Sequence, residues 1–417
     1  MDDLVALSRY FLKQADKPFH RQLPEADTRT GDFERPCTLV VGQRGVGKTT
    51  LILQHLQYLR SLEKENVAFP TTLYVPCDHY LIQGQSLYDI AETFSLHGGQ
   101  IICFDEIHKY TDWAKELKSI LDTFKALRVI GTGSSAIEIK KASHDLTRRA
   151  INLELLGLSF REFIALETGI VLESTSLATL LNSHADLAET IVATLAEKDF
   201  KVIGLFDRYL KIGFFPYYQD YPNRDDYYLT LQQNLDRSLE GDLLAVYPAL
   251  TGSSIRKIRK LITRISERVP FSPDVRKLAK QLSIGDERTL YDYLSYLQAT
   301  RIIRQLPPKG SLSSEMTKPE KIFLDNPNLM YALAFTNQVD QDCLRETFFY
   351  STVSPVAHVS AAHKGDFWVN KQFTFEVGGK GKTMQQIQGE KDAYLAVDSI
   401  EVGAGKKIPL WLFGFLY

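Results

Sequence analysis

Residues 37–50 read Cys37-Thr38-Leu39-Val40-Val41-Gly42-Gln43-Arg44-Gly45-Val46-Gly47-Lys48-Thr49-Thr50, an apolar run that passes through a glycine-rich loop into a helix-prone stretch, Leu51 to Arg60. The spacing Gly42-x-x-x-x-Gly47-Lys48-Thr49 suits a loop that wraps phosphate oxygens, because glycines let backbone N–H groups approach them closely. The helix that follows adds free N–H groups and a favourable dipole. Lys48 supplies a point charge toward the β- and γ-phosphates, and Thr49 offers a hydroxyl to Mg²⁺. The loop residues Gly42, Gln43, Arg44, Gly45, Val46, Gly47, Lys48, Thr49 and Thr50 are therefore the expected nucleotide cradle. The alternative is a strand-to-helix turn that binds nothing.

A second segment bears on that choice. Ile101-Ile102-Cys103-Phe104-Asp105-Glu106 is an apolar run ending in two carboxylates, which reads as a buried parallel strand with an acidic tip. Ligands of open α/β sheets sit beyond the carboxyl ends of the strands. Asp105 is thus expected beside a magnesium held by Thr49, and Glu106 where it polarises an attacking water. Two acids after a strand also cap helices, so the pair gains meaning only alongside the loop. Together the two segments resemble P-loop ATPases. Many of those carry a polar sensor on a strand lying between the loop strand and the acidic strand. Arg128-Val129-Ile130-Gly131-Thr132-Gly133-Ser134-Ser135 is that strand here, with Thr132, Ser134 and Ser135 as candidates and Ser134 preferred. A plain Gly/Ser turn is the competing reading.

At 417 residues two or three domains are expected. Lys plus Arg number 49 and Asp plus Glu 51, a net charge of −2, so any nucleic-acid surface has to be local. Cys37, Cys77, Cys103 and Cys343 are scattered without a Cys-x-x-Cys pair, which fits reduced thiols and gives no zinc site. No basic and apolar leader opens the sequence and no apolar run approaches the length of a bilayer span, so a cytoplasmic location without membrane contact is expected.

Along the chain, residues 1–36 hold a short amphipathic helix, Leu4 to Gln14, and a polar connector. Residues 37–157 alternate strand and helix, with strands expected at 37–42, 71–76, 101–105, 128–133 and 150–155. Right-handed crossovers then make a small five-stranded parallel sheet covered on both faces. Trp113, Leu117, Ile120, Leu121 and Phe124 share one helix face and read as core. Residues 158–253 are mostly helical, a lid or connector. Its tyrosines Tyr217, Tyr218, Tyr221, Tyr227 and Tyr228 read as a helix-junction cluster rather than a base-stacking surface.

Residues 254–318 look like a winged-helix unit. A basic amphipathic helix carries Arg256, Lys257, Arg259, Lys260, Arg264 and Arg268. Helices at 274–281 and 287–299 flank a turn at Gly285, and a wing strand follows at 301–306. Double-stranded DNA along 256–301 is one expected partner, held mainly through phosphates and sensitive to salt. Arg288, Thr289 and Tyr291 open the second of these helices, but Asp286, Glu287 and Asp292 oppose phosphate there. A purely structural winged helix stands beside the DNA reading. Residues 319–417 regain strand character.

With these pieces the chain resembles a prokaryotic family of AAA-like ATPases, in which a P-loop domain precedes a winged helix and a C-terminal domain of restriction-endonuclease-like fold. The resemblance spans the length. It rests on Gly42–Thr49, Phe104-Asp105-Glu106-Ile107-His108, Thr132–Ser135, residues 158–163, residues 209–216, Gly365-Asp366-Phe367, Phe375–Lys380 and the terminal residues 408–417. It implies ATP and Mg²⁺ as cofactors, with Lys48 and Thr49 on both, Asp105 on Mg²⁺ through water and Glu106 as catalytic base. No Asn-Lys-x-Asp guanine-reading signature competes with adenine. An arginine after the sensor strand is also implied. Arg148 or Arg149 matches, with Arg149 chosen, acting in cis or reaching a neighbouring subunit of a homo-oligomer. A solvated surface arginine is the alternative.

Nucleases of that C-terminal fold hold a divalent metal with an Asp, then Glu-x-Lys on the next strand. Asp366 and Glu376 match, and Glu346 adds a helix carboxylate. Two glycines intervene before Lys380, so a decayed or repurposed fold is the preferred reading. Three functions follow: a slowly hydrolysing Mg-ATP switch, a DNA-processing effector of defence type, and a nucleotide-locked scaffold for an unknown protein partner.

Overall fold

The computed structural model describes the chain except residues 16–18, 20, 22–32, 34, 63–68, 134–145, 147, 248, 268, 312–317 and 335–338. Two compact units emerge, Met1–Gly157 and Leu158–Tyr417.

In the first unit α1 (Asp2–Gln14) precedes β1 (Cys37–Val41), α2 (Lys48–Ser61), β2 (Thr72–Pro76), α3 (Leu87–Leu96), β3 (Ile101–Asp105), α4 (Trp113–Thr123), β4 (Arg128–Gly133) and β5 (Ile151–Glu154). The five strands make one sheet in the order β2-β3-β4-β1-β5, every neighbouring pair parallel. β1, β2 and β3 are buried along their whole length. That is why they read as continuous apolar runs rather than as an alternation. Trp113, Leu117, Ile120 and Leu121 of α4 pack into the core with Leu4 and Val5 of α1, as the helical spacing predicts. Because the strands are parallel, all their carboxyl ends share one edge. β4 lies between β1 and β3, so Thr132 stands beside Asp105 at that edge.

In the second unit α5 (Phe160–Thr168), α6 (Leu177–Ala196), α7 (Val202–Ile212) and α8 (Arg224–Arg237) come first. Ser159 and Glu162 form a capping box that starts α5. Then follow α9 (Gly252–Ser266), α10 (Val275–Gln281), α11 (Glu287–Ala299) and an antiparallel ribbon of β6 (Ile303–Leu306) and β7 (Lys321–Leu324). α9 buries Ile255, Ile258, Leu261, Ile262 and Ile265 and turns its basic residues outward. The chain ends with α12 (Pro327–Leu333), α13 (Gln341–Val353) and a mixed sheet ordered β12-β11-β10-β9-β8. Its strands are β8 (Val359–Ala361), β9 (Phe367–Val369), β10 (Phe373–Gly378), β11 (Ala393–Val397) and β12 (Lys407–Pro409).

The structure joins what the sequence reading divides at residues 253 and 318. Phe160 of the helical segment packs edge-on against Trp411 and Phe415, and Phe206 against Phe348. Asn328, fully buried, accepts from Phe214 N–H (2.9 Å) and Tyr227 Oη (2.8 Å) and donates to Leu210 O (2.9 Å). Tyr218 and Tyr227 are buried, so the tyrosine group is a helix junction.

Candidate functional site

The loop after β1 is built on glycine for steric reasons. A Cβ on Gly42 would lie 2.3 Å from the carbonyl oxygen of Leu155. Gly45 (φ 86°) and Gly47 (φ 97°) hold left-handed backbone that side chains disfavour. Gly47 then caps α2, whose first residue is Lys48. The Lys48 side chain is buried and folds back over the loop, its Nζ donating to Gly42 O (2.9 Å) and Gln43 O (3.0 Å). Val46 is buried, while Gln43, Arg44, Gly45, Gly47, Thr49 and Thr50 keep partial exposure.

Asp105, buried at the tip of β3, gathers hydroxyls. Thr49 Oγ1 donates to its Oδ2 at 2.8 Å and Tyr74 Oη to the same oxygen at 2.6 Å. Thr132 Oγ1 donates to Oδ1. The next residue, Glu106, has left-handed backbone (φ 49°), and its N–H donates to Thr132 Oγ1 at 2.9 Å. That conformation is costly for a non-glycine residue. The Glu106 carboxylate is partly exposed, with Oε2 3.5 Å from His108 Nε2. Burial, then Lys109, Lys48 and Arg44, push His108 down to about 3, so the imidazole beside Glu106 is neutral.

The structure thus brings Lys48, Thr49, Asp105, Glu106 and Thr132 together at one edge. Ser134 and Ser135 lie outside the described residues. Arg149 is not brought to this cluster. It precedes β5, whose direction puts its first residue at the opposite edge of the sheet, and it pairs with Asp122 at the end of α4 (2.9 and 3.1 Å). Sequence reading missed Tyr74, which enters from a neighbouring strand. It also missed Arg21, which donates to Val46 O (2.7 Å) and Gly157 O (2.9 Å) and so braces the loop from outside. Neither has a local motif that would reveal it.

The donor set suits Mg-nucleotide: a glycine cradle, a buried ammonium at the loop mouth, and a hydroxyl and carboxylate 2.8 Å apart. Among the described residues, no group of three or more His, Cys, Asp and Glu side chains forms a ready-made metal site. A cation here would depend on Thr49, Asp105 and nucleotide oxygens, as Mg²⁺ does at phosphate sites.

A second cluster lies in the C-terminal sheet. Glu346 of α13, Asp366 before β9 and Glu376 of β10 converge with two lysines. Lys321 Nζ stands 2.9 Å from Glu346 Oε2 and 3.6 Å from Asp366 Oδ1. Asp366 Oδ2 accepts from Val377 N–H at 2.9 Å. Burial and the neighbouring Asp366 push Glu346 up to about 7, and the same two causes raise Glu376. Lys380 is exposed. The lysine that meets Glu376 is Lys382, at 2.5 Å. Its stem lies over Gly378, where a Cβ would stand 2.7 Å from Lys382 Cδ. The two glycines that break the expected spacing therefore carry the strand into a turn that brings a later lysine back.

On the helix–ribbon segment, several of the basic residues are engaged within the chain. Arg259 pairs with Asp236 (2.8 Å) and Glu240 (2.7 Å), Arg264 with Glu267 (2.9 Å) and Arg276 with Glu287 (2.9 Å). Arg256 and Lys260 are exposed on the outer side of α9.

Residues 34–164 match the AAA domain family, and residues 203–340 match a domain of unknown function. An uncharacterized protein of Methanocaldococcus jannaschii, MJ1637, is 27% identical over 335 residues, covering 78% of this chain and 68% of that protein. Among solved structures, the Walker-type ATPase PABY2304 of Pyrococcus abyssi aligns with 76% of this chain and 98% of its own at 13% identity (TM-score 0.42). The Saccharomyces cerevisiae Hsp104–ADP complex aligns with 70% of this chain and 41% of its own at 14% identity (TM-score 0.30). The N-terminal unit carries an AAA-type, P-loop ATPase-like domain. Among the described residues no helix is long and apolar enough to cross a membrane.

Proposed function

We propose that this chain is a Mg-dependent, ATP-binding and ATP-hydrolysing switch. The observation that carries the reading is the meeting of Thr49 with Asp105 at 2.8 Å, with Lys48 over the loop and Glu106 beside them. In this reading the loop N–H groups and Lys48 bind the phosphates. Thr49 and Asp105 would hold Mg²⁺, which neutralises charge growing on the β- and γ-phosphates. Glu106 orients the attacking water and takes its proton, and Thr132 fixes the backbone of Glu106 from the neighbouring strand. Neutral His108 beside Glu106 adds no positive charge that would weaken it as a base. Isothermal titration with Mg-ATP tests the reading: saturable binding by the wild type, lost in Lys48→Ala, supports it, and no binding by folded wild type contradicts it.

A second reading concerns residues 254–417. We read α9, α10, α11 and the β6–β7 ribbon as a winged helix, and Asp366, Glu376 and Lys382 with Glu346 as a nuclease-type constellation acting on DNA. The convergence of Lys382 on Glu376 favours it over a decayed site. Plasmid nicking with Mg²⁺ or Mn²⁺ that Asp366→Ala and Lys382→Ala both abolish would support it. Uncut plasmid under every metal and nucleotide condition would leave the domain as a transmitter of nucleotide state. DNA contact itself would be salt-sensitive and carried by Arg256 and Lys260, since Arg259 and Arg264 already have acidic partners.

A further inference from the structure

Tyr74 sits in the middle of β2, next to the acidic strand, with its ring buried. Its hydroxyl donates to Asp105 Oδ2 at 2.6 Å, the oxygen that also takes the Thr49 hydroxyl. A carboxylate oxygen only accepts, so the phenol is the donor in this pair. Two contacts from α1 hold it in place. Its backbone N–H donates to Ser8 Oγ at 3.1 Å, and the Phe11 ring packs 5.2 Å from its own ring centre.

A Thr49 hydroxyl that offered an oxygen lone pair to a metal ion would keep its proton for Asp105, so the two roles are compatible. Of the two hydroxyls on Oδ2, that of Tyr74 makes the shorter bond, 2.6 Å against 2.8 Å, and it is the one held from α1. A charge-assisted bond of this length is among the stronger ones a carboxylate forms. From this geometry we infer that Tyr74 is a positioning residue for the metal-holding carboxylate, and that α1, gripping Tyr74 through Ser8 and Phe11, sets how firmly Asp105 is held. The N-terminal helix is thereby mechanically tied to the magnesium position, although none of its residues belongs to a nucleotide motif. This inference rests on the Mg-nucleotide reading above and deepens it.

The test is nucleotide binding by calorimetry in EDTA and across a Mg²⁺ titration, for wild type, Tyr74→Phe and Ser8→Ala. Tyr74→Phe keeps the buried ring and removes only the donor. Its ATP affinity in EDTA should match wild type, while the Mg²⁺ concentration for half-maximal tightening rises about tenfold. Ser8→Ala should move the same midpoint in the same direction, by less. A merely structural role would weaken binding equally with and without Mg²⁺. That result, or an unchanged Mg²⁺ midpoint in Tyr74→Phe, overturns the inference. If wild-type affinity ignores Mg²⁺ altogether, the Mg-nucleotide reading falls first and takes this one with it.

Discussion

Thr49 Oγ1 and Asp105 Oδ2 stand 2.8 Å apart although 56 positions separate them in the chain. The parallel order β3-β4-β1 is what joins them: it sets the glycine loop and the acidic tip on one edge with Thr132 between. Thr49→Val replaces the hydroxyl with a methyl of similar shape. It should leave ATP binding in EDTA near wild type and abolish the gain from Mg²⁺, read by the same calorimetric titration.

Glu106 holds a strained backbone and a partly exposed carboxylate beside buried His108. Glu106→Gln keeps the shape and removes the base. Turnover should fall by roughly 10²–10⁴-fold with Mg-ATP affinity retained, measured by single-turnover hydrolysis. Equal loss of binding and turnover would assign Glu106 to nucleotide positioning.

Acid should destabilise the first unit through its histidines. His108 is pushed down to about 3 and His55 to about 4, chiefly by burial in both cases. Below about pH 6.5 the unfolded chain takes up protons that these folded sites refuse, so stability is full above that value and falls as pH drops toward the folded values. Each histidine then contributes a slope of about 1.4 kcal/mol per pH unit at most. Urea denaturation at pH 7 and pH 5 should show a lower midpoint at pH 5, and His108→Gln should flatten the difference.

Asn328 ties α7, α8 and α12 together through buried hydrogen bonds. Asn328→Leu strands the Phe214 N–H and the Tyr227 hydroxyl. It should cost roughly 2–4 kcal/mol in chemical denaturation, because buried donors left without acceptors lose their full solvation. Mg-ATP binding by the first unit should survive at temperatures where this variant remains folded.

Arg149 pairs with Asp122 at the sheet edge away from the phosphate loop. Arg149→Ala should leave both stability and turnover near wild type, because an exposed, solvent-screened pair contributes little. A large loss of turnover without loss of folding would instead place Arg149 on the nucleotide of a neighbouring subunit.

Much of this architecture is legible in the sequence wherever local pattern decides it. The apolar run before Gly42 and the run ending at Asp105 give strands whose observed bounds lie within a residue of those expected. The helix expected at 287–299 is observed with those bounds, and the Asp286 side chain caps its start. What local pattern leaves hidden is long-range. Tyr74 is one more apolar strand residue until β2 is laid beside β3, and Arg21 sits in a stretch with no motif. Lys382 was masked by the more obvious Lys380, because the turn at Gly378 and Gly379 defeats strand spacing. The packing of Phe160 against Trp411 and Phe415 could not be seen from either segment alone.

If this edge of the sheet is a working ATP site, the protein turns over Mg-ATP there. Steady-state phosphate release from Mg-ATP, by wild type beside Lys48→Ala and Glu106→Gln, tests it most directly. The wild type should release phosphate slowly and only with Mg²⁺, and both variants should lose that release. Wild-type release indistinguishable from either variant, in folded protein that binds Mg-ATP, would contradict hydrolysis and leave a nucleotide-locked scaffold.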